Sequence, residues 1–379
     1  ATGNVTIRTT QPYVDLTKNL AYPVMAIIDV EHTTDYDHGV IGTGPYVATN
    51  FREEVGYTMV ANEHYWNGDV PFDTVELLYM GDASAKAMAL QSGQLDLAEN
   101  VTNINDLNTL REDPNFTVTI ASGVRTGLAH MNMSEGRLLS NKTLREAVLM
   151  ALDDDTMCSV TVGGLYTSGY SVLPSNLDYG YENLTDPYPY NQEEAKKLLD
   201  DAGIVDTNGD GIRELDGKEI VLHYVTYENR CLDDFAEAIQ QQLSEIDIGV
   251  DLEIGDSARQ WDSYQSGDFD LNGSNWTTVG TGDPTEYLAA WCSTSGSDYC
   301  GYKNEEYDIL FEQLGTTFDN DARRDIIQQM QQILLDDAAV VVHGYYNSSM
   351  ISRNETIGGA AIPTADYYWL TTDIYPAAQ

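Results

Sequence analysis

The sequence predicts an α/β fold of two domains, with mixed sheets flanked by helices, and three observations carry that expectation. Apolar residues at helical spacing alternate with short β-rich runs along most of the chain. Between Ile220 and Tyr264 the order is strand, helix, strand, helix, the pattern of parallel strands joined by crossover helices. A length of 379 residues leaves room for two domains and a large buried core.

Taken in order, Val5 to Ile28 reads as a strand followed by short apolar segments, one of them ended by Tyr22-Pro23. Pro45 pushes Gly44 out of the helical region, so the chain leaves the Gly42-Thr43-Gly44 turn extended. Tyr46-Val47 and Gly56 to Ala61 then form a hairpin around Arg52-Glu53-Glu54, followed by the aromatic turn Tyr65-Trp66-Asn67-Gly68. The Gly-x-Gly turn lacks the third glycine and the following helix of a dinucleotide fingerprint, so it carries no phosphate-binding role. Val75, Leu77 and Tyr79 alternate as in a half-buried strand. Asp82 caps a helix from Ala83 to Ser92 that Gly93 stops. A strand at Leu95 to Ala98, a helix from Asn105 to Arg111 and strands at Phe116 to Ile120 and Leu128 to Met133 follow.

In the second half, Ser140 or Asn141 caps a helix from Leu144 to Leu152. Asp153-Asp154-Asp155 opens the next one, where the helix dipole favours negative charge; this capping role is preferred to a catalytic acidic cluster. Gly163 to Tyr190 is rich in Gly, Pro and Tyr, whose rings either line a ligand cleft or pack a long loop onto the core. Asn191 with Glu194 forms a capping box for a helix that ends at Gly203. After the βαβα run, Phe269 to Trp276 is a strand, and Asn304 caps Glu305 to Leu314. A long helix starts at Asp319 or Asn320, and Val340 to Tyr346 is a buried strand on which His343 reads as a core histidine.

The chain carries 61 acidic against 19 basic residues, a formal net charge of -42. Such a field repels nucleic acid and anionic membranes, and the charges belong mostly to solvated faces. No run of eighteen apolar residues marks a membrane span. Of four cysteines, Cys158, Cys231, Cys292 and Cys300, the last two bracket a polar loop that a disulfide would pin outside the cytoplasm. Asn-x-Ser/Thr acceptors begin at Asn4, Asn100, Asn115, Asn132, Asn141, Asn183, Asn272, Asn275, Asn347 and Asn354, in keeping with an exposed protein. Asp206, Asn208, Asp210 and Gly211 open like a calcium loop, but position twelve is Gly217 where a bidentate carboxylate is needed. A turn between a helix and a strand is therefore the preferred reading, with calcium the weaker one.

The series "IGTGPY", "ANEHYWNG", "AMALQSGQLDLA" and "LREAVLMALDDDT", continued by "EEAKKLLDDAGI", "DTNGDGIRELDGKEI", "NEEYDILFEQL" and "GGAAIPTADYYWL", resembles the peptide/nickel family of extracytoplasmic solute-binding proteins. The resemblance implies a two-lobed type II periplasmic-binding-protein-like fold with crossover strands. Residues 1–133 then form lobe I, 134–344 lobe II, and 345–379 return to lobe I. It implies capture of a ligand between the lobes and delivery to the membrane subunits of an ABC importer, by a monomer with no cofactor and no enzymatic activity. It also implies further N-terminal sequence, with a leader and a membrane anchor of the lipoprotein kind. Oligopeptides or dipeptides lead as ligands, with nickel or other metal chelates and then oligosaccharides behind.

Candidate ligand-binding residues follow from the residues and from the resemblance together. Arg230, just before a helix start at the carboxyl end of a strand, is placed to clamp a carboxylate, with Tyr227 beside it. By resemblance, Trp276 lies against the ligand, Thr277 follows it in the cleft loop, and Asp283 is the nearest carboxylate for a peptide amine. Tyr345, at the end of a buried strand, completes the set. Where nickel-binding relatives carry an arginine after the equivalent of Pro23, this chain has Val24, which counts against nickel. An enzyme is the rival from another class, but no GxSxG, HExxH or P-loop motif is present and no carboxylate pair stands out.

Overall fold

A computed structural model describes residues 5–363 and 370–377. The chain divides into two compact units, a larger one of residues up to Asn19 and Val124–Tyr346, and a smaller one of Leu20–Gly123 and the chain from Asn347 on. The divisions at 123/124 and 346/347 differ from those expected at 133/134 and 344/345, and the first nineteen residues fall to the larger unit. The reason is local: the stretch from Val124 is already hydrogen-bonded into the larger unit's sheet, and Asp15 and Lys18 are ion-paired to Arg323 and Asp283.

In the smaller unit, β1 (Tyr46–Arg52), β2 (Gly56–Ala61) and β3 (Thr74–Leu78) form an antiparallel meander. The Asp82 carboxylate accepts the Ala85 N–H to start α1 (Ala83–Ser92), and Gly93 ends it in the left-handed conformation, both as the sequence indicates. β4 (Leu97–Glu99) and α2 (Ile104–Glu112) follow. Residues 5–9, expected as a strand, are exposed and form no regular structure.

β5 (Phe116–Met131) is one sixteen-residue strand where two were expected. Ala121-Ser122-Gly123 has no β signal of its own, yet the strand runs through it, and beyond it residues 125–131 pair with β9. α3 (Lys142–Met150), capped by Asn141, β6 (Tyr166–Thr167) and α4 (Gln192–Asp201), capped by Asn191, precede the parallel core.

That core is β7 (Val221–Tyr227), α5 (Leu232–Ser244), β8 (Gly249–Gly255), α6 (Ser257–Ser266) and β9 (Leu271–Thr277). β7 pairs in parallel with both β8 and β9, while β9 runs antiparallel to β5. α7 (Glu305–Leu314), α8 (Asn320–Asp336) and β10 (Val340–Arg353) complete the chain's main elements. In the larger unit the strand order is β8-β7-β9-β5-β10, with β6 on β10. In the smaller unit, β4 lies antiparallel to the far end of β10.

The larger unit's core packs Trp291, Tyr307, Tyr287, Leu288, Met330 and Leu334 against Leu128 and Tyr345. His343 is fully buried, its ring stacked on Phe235 and its Nε2 3.1 Å from the Tyr224 hydroxyl. Among the described residues no helix is long and apolar enough to cross a membrane.

Candidate functional site

β7 and β9 run parallel as neighbours in the larger unit, Tyr224 and Val225 beside Leu271 and Asn272, so that β9 continues to Thr277 past the end of β7 at Tyr227; open α/β sheets receive ligands at the carboxyl ends of such strands. β7 ends at Tyr227, and the turn that follows holds two successive non-glycine residues in the left-handed region, Arg230 at φ 48° and Cys231 at φ 58°. Each such residue costs on the order of 1 to 3 kcal/mol and persists only where its surroundings enforce it. Here the Tyr166 hydroxyl donates to the Arg230 carbonyl at 2.8 Å and itself accepts the Asn275 amide at 2.8 Å. Tyr166 can lie there because position 127 on β5 is glycine; a Cβ would come 2.6 Å from its ring. The strained turn therefore sets where the Arg230 side chain starts, and its guanidinium sits 5.7 Å from the centre of the Tyr346 ring.

A second arginine joins it. Arg125 faces Thr277 across the β5–β9 ladder and donates from Nη1 to the Asn275 carbonyl at 3.2 Å. Burial pushes the Tyr227 hydroxyl's pKa up, while the positive charges of both Arg230 and Arg125 oppose that rise. The two guanidinium groups thus act on one tyrosine, in a chain with only 19 basic residues. The arrangement is a local positive spot flanked by rings and amides, suited to receiving an anionic, planar group.

Successive residues of β9 point to opposite faces, which separates two of the expected ligand residues. Asn275 faces Tyr166, whereas Trp276 packs toward His130 at 5.0 Å and Tyr287 at 6.1 Å between ring centres. Trp276 and Thr277 are both half-buried. Tyr227 and Arg230 lie at and just beyond the end of β7 and Thr277 faces Arg125 at the end of β9, whereas Trp276 points to the opposite face of β9, into the rings of His130, Tyr264 and Tyr287.

Asp283 and Tyr345 do not belong to this site. The Asp283 carboxylate is buried and holds Lys18 Nζ at 2.7 Å, Arg323 Nη2 at 2.8 Å and the Thr285 N–H at 3.0 Å, which leaves it unavailable to a ligand amine. Burial would raise its pKa, but the hydrogen bonds from Lys18 and Thr285 and the charge of Arg323 hold it below the ordinary value. Tyr345 is 2% exposed, and its hydroxyl donates to the Ser171 carbonyl at 2.9 Å, so its ring belongs to the core.

The expected disulfide is not formed. Cys292 and Cys300 are buried thiols that no disulfide joins, and Cys158 and Cys231 are buried and likewise in no disulfide. The polar loop between Cys292 and Cys300 is held instead by Ser295, which donates to the Ala289 and Cys292 carbonyls, and by Asp298, which accepts the Cys300 N–H. At the calcium-like loop, the Asp206 carboxylate is taken by the N–H groups of Gly209 and Gly211 at 2.6 and 2.9 Å, and Asn208 donates to Asp210. The loop is a self-capped turn, and among the described residues no group of three or more His, Cys, Asp or Glu is placed to hold a metal.

Arg125 and Asn275 are the site residues that the sequence does not single out, and Tyr166 is one of several rings of the Gly163 to Tyr190 segment that it leaves between cleft and core. Their relation depends on strand pairing across some 150 positions, which leaves no local trace apart from the rarity of arginine in this chain.

Comparison with known proteins gives the site its context. The oligopeptide-binding protein AppA of Bacillus subtilis is 27% identical over 348 residues, covering 90% of this chain and 63% of its own length. The nickel-binding protein NikA of Staphylococcus aureus is 25% identical over 358 residues, covering 93% of this chain and 69% of that protein. The chain therefore spans about two thirds of the length of these relatives. The solved structure of B. subtilis AppA with a nonapeptide superposes at a TM-score of 0.77 with 25% identity, covering 89% of this chain and 67% of that one. S. aureus NikA with Ni(L-His)2 superposes at 0.81 with 21% identity, covering 97% of this chain and 76% of that one. The fold is that of the type II periplasmic binding proteins. Residues 1–299 match the family described as bacterial extracellular solute-binding proteins, family 5 Middle, and the chain belongs to that family.

Proposed function

We propose that this chain is the ligand-capturing part of the extracytoplasmic solute-binding component of an ABC importer. Its ligand is an oligopeptide or dipeptide whose terminal carboxylate is received by Arg230 and Arg125 beside Tyr227. The observation that carries the reading is the placement of two arginines at the ends of neighbouring strands, Arg230 in the strained turn after β7 and Arg125 opposite Thr277 at the end of β9. A buried guanidinium–carboxylate pair is short, directional and charge-assisted, which suits capture without chemistry. Relatives described as oligopeptide-binding and dipeptide-binding support a peptide. The protein acts as a monomer and not as an enzyme, it needs no cofactor, and its macromolecular partners are the importer's membrane subunits. Its family is extracellular, and a membrane anchor in the complete protein would keep it near them.

A metal chelate is the second reading, because a chelating amino acid also offers a carboxylate to the arginines and one relative is described as nickel-binding. Val24, exposed in the smaller unit where nickel-binding relatives carry arginine, weighs against it. Thermal shift against short peptides, nickel with free histidine, and cello- or malto-oligosaccharides separates the classes. A true ligand raises the melting temperature with its own concentration. Stabilisation by peptides alone is expected; stabilisation by nickel-histidine alone would replace the peptide reading.

A further inference from the structure

We propose that Asn183 is a site of N-glycosylation, the one acceptor among those described whose amide and hydroxyl the fold leaves jointly presented to solvent. Attachment to asparagine needs a reachable side-chain amide and a Ser or Thr hydroxyl two residues on, and the finished fold must leave room for the glycan. Five acceptors fail on burial: Asn100, Asn132, Asn272, Asn275 and Asn347. Their side chains are also in use; Asn132 donates to the Gly267 and Phe269 carbonyls, and Asn272 to Ser263. Asn141 is half-buried and caps α3 through its side-chain oxygen. Asn115 and Asn354 are exposed, but they lock one another in place. Asn354 donates to the Pro114 carbonyl at 2.9 Å and accepts the Thr117 hydroxyl, the +2 group of Asn115, at 2.6 Å.

Asn183-Leu184-Thr185 has a different geometry. Asn183 ends a short 3-10 turn at Tyr181–Asn183, and Leu184 follows in extended conformation at φ -79°, ψ 153°. In an extended stretch, residues i and i+2 project to the same side while the one between projects to the other. Leu184 is buried, and Asn183 and Thr185 are both exposed. The Thr185 backbone is pinned on α8, its N–H donating to Gln332 Oε1 at 2.9 Å and its carbonyl accepting Gln332 Nε2 at 3.0 Å. Among the described residues its hydroxyl has no hydrogen-bond partner, and the Asn183 amide makes long contacts, 3.3 Å to Glu182 and 3.5 Å to Gln328.

The donor class is an oligosaccharide carried on a polyprenyl phosphate or diphosphate. A bond forms between Asn183 Nδ2 and the anomeric carbon, the bond from that carbon to the phosphate oxygen breaks and its electron pair leaves with the phosphate, and one amide proton passes to a base. The test is mass spectrometry of proteolytic peptides from the protein recovered from the cells that naturally produce it, read together with Asn183→Gln, Thr185→Ala and Thr185→Ser expressed in the same cells. The expected result is a glycan mass on the Asn183 peptide that Asn183→Gln and Thr185→Ala abolish and Thr185→Ser keeps. An unmodified Asn183 peptide, whether or not another acceptor carries glycan, overturns the proposal. So does a glycan mass that persists on that peptide in Thr185→Ala.

Discussion

Arg323 shows how strongly a single buried charge constrains this fold. Its guanidinium reaches Asp283, Asp15 and the carbonyls of Leu314 and Thr317, and it is 4% exposed. Removing it in Arg323→Leu leaves the buried carboxylate of Asp283 with one fewer cation, and a loss of roughly 3 to 5 kcal/mol in denaturant unfolding is expected. Adding Asp283→Asn should restore part of that loss; a double variant no more stable than the single would show that the pair is not the cause. Because Asp283 is held below its ordinary value in the folded state, its contribution is present above the unfolded carboxyl value and is lost as pH falls through the folded one. The buried histidines act higher on the scale. Burial lowers His130 and His343 to about 3, so the folded protein keeps them neutral while the unfolded chain takes up protons below about pH 6.5. Stability from each is therefore full above that pH and falls as pH drops toward 3, by about 2 kcal/mol per histidine between pH 7 and 5. Denaturant unfolding of the wild type and His343→Gln at the two pH values checks this; an unchanged pH dependence in the variant would contradict it.

At the level of elements, what the sequence makes legible is what is decided locally. Asp82, Asn141, Asn191, Asn304 and Asp319 all accept a helix N–H through their side chains, each at a position where cap chemistry places a helix start. Asp82→Ala should cost roughly 0.5 to 2 kcal/mol in thermal unfolding, through loss of the bond to the Ala85 N–H. A variant as stable as the wild type would show that α1 draws nothing from its cap. The long strands were less legible, because β5 passes through Ala121-Ser122-Gly123, which carries no β signal in the sequence. Site residues follow the same division. Arg230 could be found from its place after a strand, whereas Arg125 is defined by a partner across the ladder. Asp283 looked free because its cations, Lys18 and Arg323, lie 265 residues before it and 40 after it. Tyr345 looked available because a terminal ring on a strand does not reveal which face it takes.

For the whole molecule, a net charge of -42 makes a local pair of arginines the more informative. The general field repels anions, so an anionic ligand group needs a specific counter-charge to be held at all. Trp276, Thr277 and Tyr227 could serve several ligand classes, but Arg125 and Arg230 together favour one bearing a carboxylate. Isothermal calorimetry of one peptide in two forms, with a free terminal carboxylate and with that carboxylate amidated, tests this claim directly. The predicted result is an affinity roughly 10- to 100-fold weaker for the amide, as the loss of a charged hydrogen-bonded contact implies, with Arg230→Ala weakening the free acid to a similar degree. Equal affinity for both forms, undiminished in Arg230→Ala, would contradict the account.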